Sequence, residues 1–335
     1  MKIAVIGAGN IGCYLGGRLQ IGGYDLVYIG RTGLVQTIAE RGLTLSDYQH
    51  WSATIPADDC KVTEDIDAAH DADVVFITVK SAATIAAAQS LVNRIRPETI
   101  VVSLQNGVRN PDEISRHLLQ HRVIPGMVGF NVAQISPGHF HQGTQGNLAL
   151  ASEAGPIAQV FIDSGLPAEV HDDMRSVQWG KLLVNLNNAV NGLSGLPLKA
   201  ELSDRQFRRV LAAAQSEALR LLRHAGQKVI SPLAVPIALL PWVLRAPNPI
   251  FLRLAKRMLT IDPQARSSML DDITAGKPTE IDYINGEVVR LANALGRTAP
   301  VNATLARLVH ETTSAGIQKW SGPQLLLQVT QAAST

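Results

Sequence analysis

Residues 1–31, MKIAVIGAGNIGCYLGGRLQIGGYDLVYIGR, decide the fold of this chain. Lys2–Ile6 is a short apolar run typical of a β-strand, and Asp25–Ile29 is a second one. Between them stand a GxGxxG motif, Gly7 to Gly12, and a helical pattern that ends at Gly22-Gly23. A strand, a glycine turn, a helix and a second strand in this order predict a dinucleotide-binding βαβ unit.

The three glycines of the motif have separate roles in such a unit. Gly7 permits the tight turn, Gly9 lets a pyrophosphate approach the backbone, and Gly12 lets the helix pack closely against the strand. The helix N-terminus offers free N–H groups and the positive end of its dipole to the phosphates. The predicted pyrophosphate-binding residues are Gly7, Ala8, Gly9, Asn10, Ile11 and Gly12.

The end of the second strand bears on the choice of coenzyme. An NAD site usually carries Asp or Glu there for the ribose 2′-hydroxyl, whereas this chain has Gly30-Arg31-Thr32. Because an arginine suits a 2′-phosphate, the sequence favours NADP(H). The alternative interpretation of Arg31 is a solvated loop residue.

Length and composition narrow the class of protein. The chain has 335 residues, which predicts two domains, and 46% hydrophobic with 17% charged residues is typical of a globular protein. A net charge of +2 implies no strong field for nucleic acid or membranes. Two cysteines predict neither a disulfide framework nor a zinc site, and they favour a reducing cytoplasm. We expect no signal peptide and no membrane span.

Two further buried strands are predicted at 73–79 and 100–104. Lys80 and Asn106 follow them, at the carboxyl ends where open α/β sheets bind ligands. An exposed lysine and a plain Asn-Gly turn are the alternatives. A β-rich hairpin is expected at 43–58. Strands are also expected at 123–132, 139–151 and 168–171. His139 and His141 are interpreted as surface or satisfied histidines, because no third metal ligand has suitable spacing.

Beyond Met174 nearly every pattern is helical. The predicted fold class is therefore α/β, with an N-terminal Rossmann-type dinucleotide-binding domain, 1–170, and an all-helical C-terminal domain, 171–335, for substrate binding and dimerisation. The apolar segment 231–261 is broken by five prolines and motivates a homodimer hypothesis. The tail after Lys319 is expected to be loose.

The helix predicted at 176–191 carries the clearest chemical signal in that domain. Helical spacing places Lys181, Asn185 and Asn188 on one face, beside leucines. A partly buried lysine can have a shifted pKa and donate a proton. The alternative is a polar stripe facing solvent. Glu280 is expected in the first turn of a later helix, where the helix dipole alone would favour an acid.

Together these motifs resemble the ketopantoate reductase (2-dehydropantoate 2-reductase) family, over residues 1 to about 316. The resemblance rests on GAGNIG, Arg31, ITVK ending at Lys80, QNG at Asn106, WGKLLVN around Lys181, and SSML…PTEIDYING around Ser268 and Glu280. It implies an NADPH-binding domain followed by a helical domain, with the substrate in the cleft between them. It also implies reduction of the C2 ketone of a 2-keto acid, a step in making pantothenate.

The resemblance implies a role for each matching residue. Cofactor contacts would come from the glycine motif, Arg31, Lys80, Asn106, Ala133 and Glu280. Substrate contacts would come from Asn106, Lys181, Asn185, Asn188 and Ser268. Lys181 would be the proton donor, with Glu280 as its catalytic partner.

The substrate side departs from the family pattern. Ala189, Lys199 and Ala265 stand where that pattern carries asparagines, although Asn188 and Asn191 are nearby. Three other functions therefore stay open. They are reduction of a different 2-keto acid, a dehydrogenase of the 3-hydroxyacid or 6-phosphogluconate type, and a non-catalytic NADP-binding sensor.

Overall fold

The computed structural model describes residues 1–233, 235–254, 264–315 and 319–334. The chain divides into two compact units, Met1–Met174 and Arg175–Thr335. The first unit is built on β-sheets and the second on helices, so the predicted fold class is confirmed. The division falls just beyond the predicted domain boundary near residue 170.

The first unit contains two sheets with helices packed on them. Its strands are β1 (Lys2–Ile6), β2 (Asp25–Ile29), β3 (Leu43–Asp47), β4 (Ser52–Ile55), β5 (Val62–Thr63), β6 (Val74–Ile77), β7 (Ile100–Ser103), β8 (Val123–Val128), β9 (Val132–Ser136), β10 (His139–Gln142), β11 (Leu148–Ala151) and β12 (Ala168–His171). Its helices are α1 (Asn10–Ile21), α2 (Thr32–Arg41), α3 (Thr84–Leu91), α4 (Asn110–His117) and α5 (Gly155–Asp163).

The large sheet has the strand order β12-β11-β8-β7-β6-β1-β2-β5. All of its strand pairs are parallel except β8 with β11. Every residue of β6 is buried, as expected for a parallel strand covered on both faces. The carboxyl ends of β1, β2, β6 and β7 therefore share one edge of the sheet, which is where ligands bind in open α/β sheets.

The smaller sheet, β4-β3-β10-β9, corrects one strand prediction. The strand predicted at 123–132 ends at Val128 as β8, and the strand predicted at 139–151 is divided into β10 and β11. β10 joins the smaller sheet instead of the large one, together with β9, which begins at Val132. The division occurs where Gly129 lies against the Asn147 backbone, a contact too close for any side chain. The hairpin predicted at 43–58 is confirmed, since β3 and β4 pair antiparallel.

The second unit is helical throughout the part that the structure describes. Its helices are α6 (Met174–Asn185), α7 (Asn187–Ser194), α8 (Leu198–Ser203), α9 (Arg205–His224), α10 (Leu240–Arg245), α11 (Asn248–Leu254), α12 (Ser268–Thr274), α13 (Ile281–Ala294), α14 (Pro300–Ala315) and α15 (Gly322–Ser334). Helix α9 contacts α10, α13, α14 and α15 and forms the centre of this unit. Its buried Glu217 accepts hydrogen bonds from the backbone N–H groups of Val301 and Asn302, at 3.0 and 2.9 Å, and so caps α14.

The prediction of a loose tail is wrong, because residues 322–334 form α15. Leu325 and Val329 lie four residues apart on this helix and are buried. The burial of these two side chains stabilises the helix, which the position of the segment at the end of the sequence does not predict. The short helices expected in 231–261 are present as far as Leu254, and residues 255–263 lie outside the described part. None of the described helices combines the length and apolar character needed to cross a membrane.

Candidate functional site

The glycine turn between β1 and α1 has the geometry that a pyrophosphate needs. Gly7 has φ +90°, and a Cβ there would lie 2.6 Å from Val79 atoms. A Cβ on Gly12 would lie 2.6 Å from the Gly7 carbonyl oxygen. Gly9 differs, because a Cβ there would meet nothing closer than 3.9 Å. Packing therefore requires Gly7 and Gly12, whereas the backbone at Gly9 is open to a ligand.

The start of α1 adds free donors to this turn. Gly9 occupies the N-cap position without a side-chain cap, and the first turn of the helix has no acidic residue. The free backbone N–H groups of this turn can therefore bind an anion, and no carboxylate in the turn competes for them. The Asn10 amide donates to the Val132 carbonyl at 3.2 Å, so the start of β9, with Ala133, lies beside the turn. Residues 7–12 fit a dinucleotide pyrophosphate.

The end of β2 carries a cation and, unexpectedly, a carboxylate nearby. Arg31 is exposed at the N-cap of α2. The neighbouring Thr32 hydroxyl donates to Glu64 Oε2 at 2.7 Å. Glu64 follows β5, which pairs with β2 in parallel. Sequence reasoning missed this carboxylate because it comes from the adjacent strand and not from β2 itself.

The loops after β6 and β7 are held together by side-chain hydrogen bonds to a backbone carbonyl. Lys80 is exposed after β6, and Asn106 is half-buried after β7. The Asn106 carbonyl accepts hydrogen bonds from Ser81 Oγ at 3.2 Å and from Asn110 Nδ2 at 2.6 Å. Gly107 has φ +90°, which allows the chain to turn sharply beside these contacts. The two predicted residues therefore lie on loops fixed at the same sheet edge.

A buried glutamine completes this network. Gln105 Nε2 donates to the Val79 carbonyl at 2.9 Å and to Thr84 Oγ1 at 2.7 Å. Sequence reasoning missed Gln105, Ser81 and Asn110 as supporting residues. The available signal was the polar run that follows the apolar strand β7.

Lys181 lies in α6 of the second unit, next to a glycine that packing demands. Gly180 is so close to the Ile230 carbonyl oxygen that a Cβ would overlap it. The backbone of Ile230 also donates to the Ser176 carbonyl at 3.0 Å. This segment covers α6, and Lys181 is half-buried as a residue. Burial lowers the pKa of its ammonium group from 10.5 to about 8, so the expected shift is present.

The helix predicted at 176–191 is interrupted once. Lys181 and Asn185 lie in α6, whereas Asn188 lies in α7, and Leu186 separates the two helices. The φ and ψ of Leu186, −55° and −22°, stay in the helical region. Asn185 and Asn188 are both half-buried. The interruption therefore corrects the helix boundaries, and the chain keeps its helical course across it.

Two more predicted residues stand at helix starts in the second unit. Ser268 is the first residue of α12 and is exposed, and Ser267 caps that helix by accepting from the Leu270 N–H at 3.2 Å. The expected place of Glu280 is wrong, because it is the N-cap residue of α13 and not part of the first turn. Its side chain makes no cap hydrogen bond, and Glu280 is half-buried.

The two histidines of β10 share one partner. His139 Nε2 and His141 Nδ1 each lie 2.8 Å from Ser46 Oγ. They are satisfied histidines, as expected. In the described part of the chain no three potential His, Cys, Asp or Glu ligands come together around a metal position.

The predicted residues therefore form two groups, one in each unit. Gly7 to Gly12, Arg31, Lys80 and Asn106 lie at or near the carboxyl edge of the large sheet, and Ala133 lies beside the glycine turn. Lys181, Asn185, Asn188, Ser268 and Glu280 lie on, or at the start of, four helices of the second unit. The first group can hold phosphates, and the second combines a half-buried lysine of lowered pKa with polar side chains.

Comparison with known proteins agrees with this division. Residues 3–155 match the family described as "Ketopantoate reductase PanE/ApbA", and residues 173–313 match "Ketopantoate reductase PanE/ApbA C terminal". Two curated relatives are the 2-dehydropantoate 2-reductases of Archaeoglobus fulgidus, 26% identical, and Pyrococcus horikoshii, 29% identical. The alignments cover 93% and 94% of this chain and 98% and 99% of those relatives.

A solved structure gives the same result for the fold. The crystal structure of a PanE/ApbA family ketopantoate reductase from Ralstonia eutropha is 30% identical, with a TM-score of 0.81. The match covers 94% of this chain and 99% of that one. Both halves of the sequence therefore have counterparts in one known architecture.

Proposed function

The chain belongs to the ketopantoate reductase family, and from this premise we propose that it reduces 2-dehydropantoate to pantoate with NADPH. The observation that carries the proposal is the lysine of lowered pKa, Lys181, in a chain whose glycine turn fits a dinucleotide. The reaction is a step of pantothenate biosynthesis. The proposal includes a cytoplasmic location, which suits two free thiols.

The chemistry divides between coenzyme and protein. The bound coenzyme would supply a hydride from nicotinamide C4 to the keto carbon. Negative charge then develops on the keto oxygen, where the Lys181 ammonium stabilises it and donates the proton. A pKa of about 8 suits this role, because the group is mostly protonated at neutral pH yet gives up its proton readily.

The remaining residues are assigned as follows. Gly7 to Gly12 hold the pyrophosphate, Arg31 and Lys80 approach the 2′-phosphate, and Asn106 lies near the nicotinamide. Ala133 also contacts the coenzyme. Asn106 also contacts the keto acid, together with Asn185, Asn188 and Ser268. Glu280 acts with Lys181 and contacts the coenzyme. The positions of these residues at a sheet edge of the first unit and on helices of the second unit support the assignment.

Glu64 favours NADH as a second candidate coenzyme. Its carboxylate accepts from Thr32, directly beside Arg31, and would repel a 2′-phosphate. Because Arg31 and Glu64 act in opposite directions, the coenzyme has to be tested directly. Equal losses of NADPH and NADH affinity in Arg31→Ala would remove the 2′-phosphate role of Arg31.

The deciding experiment is the rate of NADPH oxidation with 2-dehydropantoate, run beside a panel of other 2-keto acids and an NADH control. Turnover of 2-dehydropantoate with NADPH is the expected result. Turnover of another keto acid alone would mean that the substrate side has changed. Oxidation of a hydroxy acid without keto-acid reduction would favour the 3-hydroxyacid or 6-phosphogluconate type. NADPH binding with no turnover would favour a sensor.

We also propose a homodimer through the apolar surface of residues 237–254. Its large exposed side chains include Trp242, 74% exposed, and Leu254, 62% exposed. Several large apolar side chains exposed along one short segment are typical of an interaction surface, whereas single exposed ones are normal. Sedimentation as a monomer at micromolar concentration would refute the dimer, and Trp242→Glu should produce that monomer if the proposal is right.

A further inference from the structure

A carboxyl group is buried in the second unit, away from the residues assigned above. Glu201 of α8 has no exposed surface. Its Oε2 accepts from Asn191 Nδ2 at 3.0 Å and from Asn187 Nδ2 at 3.2 Å. Both asparagines belong to α7. We call these three residues the carboxyl–amide cluster.

Asn191 connects this cluster to the start of α12. Its Oδ1 accepts a hydrogen bond from the Ser267 backbone N–H at 3.0 Å. Its Nδ2 also donates to the Leu196 carbonyl at 2.9 Å, so the amide is held at both ends. Ser267 caps α12, and Ser268 follows directly. The side chain of Asn191 therefore fixes the backbone immediately before Ser268.

The two helices joined in this way also pack closely. A Cβ on Gly192 of α7 would lie 2.9 Å from Ile273 Cδ1 of α12, so a larger residue there would require the Ile273 side chain to move. Helix α7 follows α6 across the single residue Leu186, and α6 carries Lys181 and Asn185. The carboxyl–amide cluster thus links the helix of the proposed proton donor to the start of the helix that carries Ser268.

Stability alone is a weak reason for a carboxyl group at this place. Within the described residues, Glu201 Oε1 and Asn187 Oδ1 are buried without a hydrogen-bond partner. Burial raises the pKa of Glu201 to about 8, and the proton that it then keeps gives the cluster an additional donor. Apolar residues of similar volume often replace buried polar groups without loss of stability. A role in fixing geometry explains the carboxyl group better.

We propose that Glu201 is a positioning residue for the reduction. It holds the amide of Asn191, and through it the backbone at Ser267, so that Ser268 keeps a fixed place relative to Lys181 and Asn185. Glu201 itself contacts neither substrate nor coenzyme. This inference rests on the proposed function, because it assigns a supporting residue to the same substrate site.

The test compares Glu201→Ala, Glu201→Gln and Val190→Ala. Val190 is buried on α7 between the two asparagines, and its truncation is the control for lost stability. We expect Glu201→Ala to raise the keto-acid KM about tenfold or more, because small displacements of binding groups are costly. The Kd of NADPH should stay unchanged. Glu201→Gln keeps a hydrogen-bond acceptor and a neutral donor, so its KM should stay close to that of the wild type.

A purely structural role predicts a different pattern. If Glu201→Ala and Val190→Ala lower the melting temperature equally and leave the same KM, the proposal is overturned. A KM of Glu201→Gln as high as that of Glu201→Ala would also overturn the proposal. If Glu201→Ala does not fold, Asn191→Ala should raise KM in the same way. An unchanged KM in Asn191→Ala refutes the proposal that Asn191 fixes the backbone at Ser267.

Failure of the proposed function gives a distinguishable result. Wild-type protein would then turn over no 2-keto acid with NADPH. The equilibrium Kd of 2-dehydropantoate for the same variants would still decide the positioning role. A Kd that Glu201→Ala raises and Glu201→Gln restores supports it, and an equal Kd in all variants, or no binding by the wild type, refutes it.

Discussion

Replacing Lys181 tests whether its ammonium group donates the proton. The pKa of about 8 means that roughly nine-tenths of the lysine is protonated at pH 7, and roughly one-tenth at pH 9. If the protonated form is required, kcat/KM for the keto acid should fall about tenfold for each pH unit above 8. A solvated lysine would keep the wild-type rate almost constant until its ordinary pKa of 10.5.

The assay is kcat/KM for the keto acid at saturating NADPH, from about pH 6 to pH 10. Lys181→Ala should lower kcat at pH 7 by about 10²–10⁴, the range for a lost general acid, and should abolish the alkaline fall. NADPH affinity is the control and should survive. Lys181→Arg keeps its charge at every pH tested, so its remaining rate should be flat. An alkaline fall that persists in Lys181→Ala would refute the assignment.

Four other substitutions test three separate parts of the structure. Arg31→Ala should weaken NADPH far more than NADH, and Glu64→Gln should improve NADPH alone; equal effects on both coenzymes in titrations would contradict this electrostatic account. Gly180→Ala should lower the free energy of unfolding by about 1–3 kcal/mol, because its Cβ meets the Ile230 carbonyl, and urea unfolding measures this. Glu201 has a folded pKa of about 8 against 4.5, so wild-type stability should decline as the pH rises from about 4.5 to about 8. This decline is on the order of a few kcal/mol, and Glu201→Gln should remove it. Melting curves of both proteins at several pH values measure the decline, and its presence in Glu201→Gln would contradict the assignment to Glu201.

Local sequence patterns predicted the elements that are specified by their own residues, without a contribution from distant parts of the chain. The bounds of β1 and β2 agree with the predicted Lys2–Ile6 and Asp25–Ile29. Each is a short apolar run with a clear end, because Gly7 follows β1 and Gly30 follows β2. The glycine turn was predictable for the same reason, because strand, motif and helix follow one another without a gap.

Features that depend on a distant partner were not predictable in this way. Glu64 reaches Thr32 only because β5 pairs with β2, and a two-residue strand has almost no sequence signal. Helix α15 exists because Leu325 and Val329 bury themselves against other helices. A glutamate is rarely fully buried, so the sequence gives no sign of the burial of Glu201, which only the packing of α7 and α8 reveals.

The asparagines near Lys181 show why the substrate side is harder to infer than the coenzyme side. Asn191 lies close to the position, now Ala189, where the family pattern has an asparagine, but it cannot substitute for that residue. It is completely buried, and its amide is already bonded to Ser267, Leu196 and Glu201. Asn188 is half-buried, and its side-chain amide makes no such hydrogen bonds within the described residues. If an asparagine of α7 compensates for Ala189, it is therefore Asn188, whereas Asn191 serves the geometry that supports Ser268.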